Sequence, residues 1–269
     1  MNEVRLVEEL KKRYPDCDIQ IRAMKKQGIG EVRGLTIKKP DSNIAPTIYP
    51  DYFDKFDFDV AVDKIAQLYE EFKVNGNVDM SWFTDFEKVK DKIQMRLVNR
   101  EKNKDYLQDL ATMIFMDLSI VFHVVVPELD GAITIRKQHL EHWNVDIYEL
   151  YKTAMANTKI DELDIADYII RMAGGNVPIL PKGLMTIITN KDKNYGAGVL
   201  HLYLERNKGK KFYIIPSSVH ECIIVPELQI GMNINDLKEM VKFVNANEVE
   251  PQDRLSDNAY YFDCEKLVV

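Results

Sequence analysis

The densest run of residues able to do chemistry is Pro216-Ser217-Ser218-Val219-His220-Glu221. Hydroxyl, imidazole and carboxylate are the parts of a nucleophilic relay, in which a base takes the hydroxyl proton and an acid orients the base. Ser217 or Ser218 would attack, His220 would act as base, and Glu221 or Asp257 would hold the ring. The spacing is against this assignment. Catalytic Ser and His generally come from distant segments, and the chain carries no Gly-x-Ser-x-Gly elbow. In an extended segment, adjacent His220 and Glu221 would also point to opposite faces. The competing expectation is a serine-rich hairpin turn whose hydroxyls satisfy backbone groups, with His220 hydrogen-bonded at the sheet margin.

Other motifs are weaker. His139-Leu140-Glu141-His142 puts two imidazoles on one helix face, but matches neither zincin spacing; beside Trp143 it reads as a helix entry, and no metal is expected. His123 and His201 sit in apolar patterns and read as satisfied core or surface histidines. Asn194-Tyr195-Gly196-Ala197-Gly198 could bring backbone amides to a phosphate, yet it lacks the longer glycine fingerprint and a P-loop lysine. Tight strand-to-helix packing explains it equally, and no cofactor is implied. The aromatics of YPDYFDKFDF (residues 49–58) suit apolar wrapping over a core or a partner-binding patch.

These residues need a scaffold, and composition bounds it. At 269 residues, 46% hydrophobic and 29% charged, the chain is ordinary globular material with room for a sizeable core. Its apolar runs are far shorter than the roughly 20 residues a membrane span needs. The N-terminal stretch is an amphipathic helix pattern without a signal peptide's apolar region, so a cytoplasmic protein is expected. Three cysteines, Cys17, Cys222 and Cys264, suggest neither a disulfide framework nor a zinc site. A net charge of −7 argues against binding a nucleic-acid backbone.

Periodicity predicts a helix over 3–13, a hairpin over 18–38, and an edge strand within 43–49. A helix capped by Asp57 or Asp59 should run to Phe72, with the stripe Val60, Ile65, Leu68, Tyr69 and Phe72. A second helix is expected over 81–92. Two similar blocks follow. Val98-Asn99-Arg100-Glu101-Lys102-Asn103 resembles Thr189-Asn190-Lys191-Asp192-Lys193-Asn194, 91 residues on, and VVVPEL resembles IIVPEL, 99 residues on. The helix ending at Asn157 resembles the closing helix, 90 residues on, which Asn235 should cap. Three matches in one order suggest a diverged duplication of a strand–helix unit. The expected architecture is α+β: two strand-rich/helix repeats forming mainly antiparallel sheet with helices on one face. The expected organisation is an N-terminal subdomain over 1–90, repeats over 91–158 and 183–269, and between them a connector (159–182) carrying a short helix over 163–172.

At TNKDKNYGAG, PSSVHE and LSDNAYYF, the chain resembles an uncharacterised family of Gram-positive gut anaerobes and their mobile elements, domain of unknown function 5688. The likeness runs from about Lys92 to the end. Its motif positions are Thr189, Asn190, Tyr195, Gly196, Ala197, Pro216, Ser217, Ser218, His220, Glu221, Leu255, Ser256, Asp257 and Tyr260. The resemblance brings no known activity, but makes Ser218, His220 and Glu221 part of a family hallmark. Asn190, Tyr195 and Asp257 are the further candidates for contact with a ligand or partner. The leading expectation is a non-catalytic interaction or regulatory module with a protein partner, one that could serve a mobile element. The alternative is a hydrolase or small-ligand-binding protein using Ser218, His220 and Glu221.

Overall fold

In the computed structural model, which describes residues 1–129, 131–172, 181–191, 195–227, 231 and 233–269, the chain divides into two compact units, Met1–Trp82 and Phe83–Val269. Gly174, Gly175 and Pro178 of the expected connector, Asp192-Lys193-Asn194 of the second charged turn, and Leu228 lie outside the described residues.

In the first unit, α1 (Glu3–Arg13) starts at Asn2, whose side chain accepts from the Arg5 amide. Its heptad-like spacing buries Leu6 and Leu10 completely. β1 (Asp18–Lys26) and β2 (Gly30–Lys38) form the expected antiparallel hairpin, and Gly28 and Gly30 take positive φ at its turn. β3 shrinks to Thr47–Ile48, because Pro46 and Pro50 flank it and donate no ladder hydrogen bonds. α2 (Phe58–Phe72) begins at Asp57, but that side chain makes no capping bond. The expected stripe is also rotated. Val60 and Phe72 are exposed, and Ala61, Val62, Ile65, Ala66 and Tyr69 are the buried face. Small alanines allow that face to approach the Leu35 and Ile37 side of the sheet closely.

In place of one helix over 81–92 there are a 3-10 turn (Ser81–Thr84), α3 (Phe86–Val89) and a second 3-10 turn (Lys90–Lys92). Asp85 breaks the run by capping α3 through the Glu87 amide. The larger unit continues with β4 (Ile93–Asn99), α4 (Lys104–Leu107), β5 (Thr112–Phe115), β6 (Leu118–Val126), β7 (Gly131–Thr134), α5 (Lys137–Trp143) and α6 (Ile147–Asn157). Then come β8 (Ile160–Asp164), α7 (Ile165–Met172), β9 (Thr186–Asn190), a 3-10 turn (Gly196–Val199), α8 (Leu200–Arg206), β10 (Lys211–Ile215) and β11 (Cys222–Pro226). α9 (Ile234–Asn247), β12 (Tyr260–Asp263) and β13 (Lys266–Val268) close the chain.

Two sheets result. In the first, β6 is central, with β4 on one side and β5 and β7 on the other. The second runs β13-β12-β10-β11-β9-β8. Every registered pairing among the described residues is antiparallel, so the fold is α+β with mainly antiparallel sheet. The triplets β4–β6–β5 and β9–β11–β10 share one order, with the third strand in sequence central. Two local expectations shift, and α6 ends at Asn157 as expected. Residues 160–164 of the expected connector are a strand paired to β9. The Asn157 side-chain amide donates to the Lys90 and Ile93 carbonyls. The cap of α9 is Asn233, reciprocated by Asp236, rather than Asn235.

Candidate functional site

Six residues, 216–221, join β10 to β11. Their backbone is fixed at three points: the Ser218 amide donates to the Glu221 carbonyl at 3.3 Å, the Val219 amide to the Asp253 carbonyl at 2.8 Å, and the Ala197 amide to the Val219 carbonyl at 3.2 Å. The hydroxyls turn inward. Ser217 Oγ and Ser218 Oγ both donate to Glu221 Oε1, at 3.2 and 3.0 Å, and Ser218 Oγ also accepts from the His220 amide at 3.0 Å. The imidazole is held separately. Its Nδ1 accepts from the Tyr195 amide at 3.1 Å, so in the neutral ring the proton resides on Nε2, which stands 3.5 Å from Asp253 Oδ1. Ser217, Ser218, His220 and Glu221 are thus brought together, but the serine protons go to the carboxylate, not to the ring.

All four residues line a cleft of about 480 Å3, together with Thr189, Tyr168 and the acidic side chains of Glu248, Glu250 and Asp253. Four carboxylates around one concavity create a negative potential that favours cations. Asp253, Glu248 and Glu250 come from the stretch after α9 and carry no motif; the acid density of EVEPQD was the one available signal. Among the described residues no three His, Cys, Asp or Glu side chains converge as a metal site.

Tyr195 and Asn190 line a second cleft, of about 220 Å3, with Gln94, Lys159 and Lys191. Tyr195 takes a left-handed backbone (φ 53°), which aims its amide at His220 and lays its ring 5.7 Å from the imidazole. Gly196 makes this possible: a Cβ there would collide with Thr189 Oγ1 and the His220 carbonyl, which are bonded to each other at 2.8 Å. The glycines of this segment therefore serve close packing, and the helix they lead into, α8, is only seven residues long.

A family model described as a family of unknown function, DUF5688, matches residues 3–264. The chain belongs to this family. The match starts far ahead of Lys92 and spans both compact units. No curated protein and no solved structure is significantly similar to it. In this DUF5688 chain the LSDNAYYF stretch lines neither cleft, and much of it is buried. Leu255, Ser256 and Tyr260 are fully buried. Asp117, unremarked in the sequence, accepts from Ser256 Oγ at 2.6 Å, Asn258 Nδ2 at 3.1 Å and Tyr260 Oη at 2.7 Å. Asp257 accepts from Asn245 Nδ2 at 2.8 Å and from Lys102 Nζ at 3.0 Å. Burial alone would raise its pKa, but those two bonds together with the charges of Lys102 and Arg254 hold it below the usual value. Asn99 completes the tie by donating to the Leu255 carbonyl.

The remaining histidines divide. His139 accepts the Arg136 amide at the start of α5, and His201 meets the Tyr151 hydroxyl at 2.7 Å. His123 is not the satisfied core histidine expected: its Nδ1 is buried without a partner. Burial, and then the charge of Arg96, push its pKa down to about 3. Arg96 is the other residue the sequence reading passed over, a lone charge in the apolar strand IQMRLVN.

Proposed function

We propose that this protein is a non-catalytic binding module that receives a small cationic ligand, such as an organic amine, in the cleft around Glu221 and Asp253. One observation carries the reading. Ser217 and Ser218 give their protons to Glu221, while both ring nitrogens of His220 face other partners, the Tyr195 amide and Asp253. A hydroxyl so bonded is positioned for recognition, and the imidazole that a serine relay would use as its base is turned to other partners. The acidic lining supplies the charge preference. In the test, amines and neutral analogues are titrated by thermal unfolding and calorimetry. Amines should stabilise the protein and Asp253→Asn should remove the effect. Ester hydrolysis lost in both Ser218→Ala and His220→Ala would establish the hydrolase instead.

A protein partner is the second reading, and α9 favours it. Met240, Phe243 and Val244 lie on one face of this helix, 37%, 68% and 40% exposed. Apolar side chains three and four apart make a stripe that a partner can cover. Phe243→Glu should then abolish association with that partner while amine binding persists. Service to a mobile element rests on the motif resemblance alone.

A further inference from the structure

Arg96 carries a charge that no described residue balances. It is 8% exposed on β4, and no carboxylate among the described residues pairs with it. Its Nη2 donates to the Tyr106 hydroxyl at 2.6 Å and to Thr134 Oγ1 at 3.3 Å, and its Nε is buried without a partner. Its guanidinium lies 4.7 Å from the centre of the Tyr195 ring. All of these partners are neutral. Buried charges are ordinarily paired, because neutral groups offset only part of their desolvation. The unneutralised field is felt nearby, where it helps to keep His123 uncharged.

Tyr195 also walls the 220 Å3 cleft, whose described lining contains Lys159 and Lys191 and no acidic residue. Neither lysine makes an ion pair among the described residues, in a protein whose net charge is −7. We propose that this cleft is an oxyanion site, holding the phosphate or carboxylate of a small molecule between Lys159 and Lys191, with Arg96 behind Tyr195 supplying the balancing charge. Pockets for drug-sized ligands run roughly 300–1,000 Å3. A cleft of about 220 Å3 therefore suits inorganic phosphate, a phosphorylated fragment or a short carboxylic acid, and excludes a dinucleotide. The site is separate from the amine cleft and stands whether or not that reading holds.

The test is thermal unfolding of the whole chain in inorganic phosphate, succinate or chloride at matched ionic strength. Phosphate or succinate should raise the midpoint above chloride. Lys159→Gln combined with Lys191→Gln, both at exposed positions, should weaken the apparent affinity by roughly tenfold or more, as expected for loss of charge-assisted bonds. Arg96→Lys retains the charge and should keep binding within a few-fold, whereas Arg96→Gln should lose it. A response to phosphate alone assigns a phosphorylated ligand, and one to succinate alone a carboxylic acid. The proposal is overturned by an equal response to all three salts, or by an undiminished oxyanion response in the double lysine variant.

Discussion

The triplets β4, β5, β6 and β9, β10, β11 each turn between their second and third strands, and they do it differently. In the first sheet two residues, Met116 and Asp117, join β5 to β6, with Met116 at φ 58°. In the second, six residues join β10 to β11. Each turn presents a carboxylate that gathers hydroxyls. Asp117 collects Ser256, Asn258 and Tyr260 and lines neither cleft, whereas Glu221, equally half-buried, collects Ser217 and Ser218 and borders one. The bonds to the Asp117 carboxylate come from groups of the chain itself, so this acid works for stability. The longer loop is tied down by Asp253 and Ala197, and its acid faces a cleft. The two triplets share a strand order, and the four additional residues of the second turn carry the difference in chemistry.

The sharpest way to break the comparison is to remove the acid of the short turn. Asp117→Ala leaves the fully buried Tyr260 hydroxyl and Ser256 without their acceptor. Burial, and then the Asp117 charge, hold the Tyr260 hydroxyl well above its ordinary pKa, so the ring stays neutral and keeps donating. Losing three bonds to one carboxylate should cost about 3–5 kcal/mol, read as a lower urea midpoint at unchanged slope. Glu221→Gln, at the open turn, should cost no more than about 1 kcal/mol. Equal losses at both positions would remove the distinction between the two turns.

Gly196→Ala comes next. The new Cβ would meet Thr189 and the His220 carbonyl, both on rigid neighbours, so overpacking should cost about 2–3 kcal/mol. Because the Tyr195 amide would be displaced from His220, amine and oxyanion responses should fall together. Retention of both at normal stability would show that Tyr195 does not join the clefts.

Legibility in the sequence followed the same division. Elements whose pattern is local were readable: α1, the β1–β2 hairpin and the end of α6 lie within a few residues of where the sequence puts them. β8 was missed because IDELD alternates acids with isoleucine and leucine and reads as a linker until β9 pairs with it. The helix over 81–92 failed because Asp85 prefers to cap a new turn. At the site, PSSVHE was visible as a cluster, since its polar residues are consecutive. Asp253, Asp117 and Arg96 were not, because each acquires its meaning from a partner more than ten residues away in sequence. Asp257 was visible as a hallmark, but a hallmark position can be held for packing as easily as for binding.

The first sheet should also carry a pH sensitivity that the second lacks. His123 has a folded pKa of about 3 against an ordinary value of 6.5. Between those values the unfolded chain binds a proton that the folded chain does not, so stability is present above about pH 6.5 and is lost as pH falls toward 3. The slope approaches ~1.4 kcal/mol per pH unit. From pH 7 to 5 the wild type should lose about 2 kcal/mol relative to His123→Leu, in which that titration is absent. Parallel stability–pH curves for the two proteins would mean that His123 takes up a proton while folded.

Ser218→Ala separates the two readings of the open turn most cleanly. It removes one donor to Glu221 and leaves the His220 amide without its acceptor. The expected cost is about 1–2 kcal/mol, since one buried hydrogen bond is lost and one backbone donor is left unsatisfied. In a recognition turn that loss should appear in stability and, weakly, in amine affinity, because Ser217 still bonds Glu221 and fixes its carboxylate. In a hydrolase the same substitution would abolish turnover outright while sparing binding. A variant that binds amines within a few-fold of wild type and whose stability falls by this amount places Ser218 with the turn's structure rather than its chemistry. The open loop would then differ from its shorter counterpart by what it admits, while the hydroxyl-to-carboxylate bonding that holds each turn stays common to both.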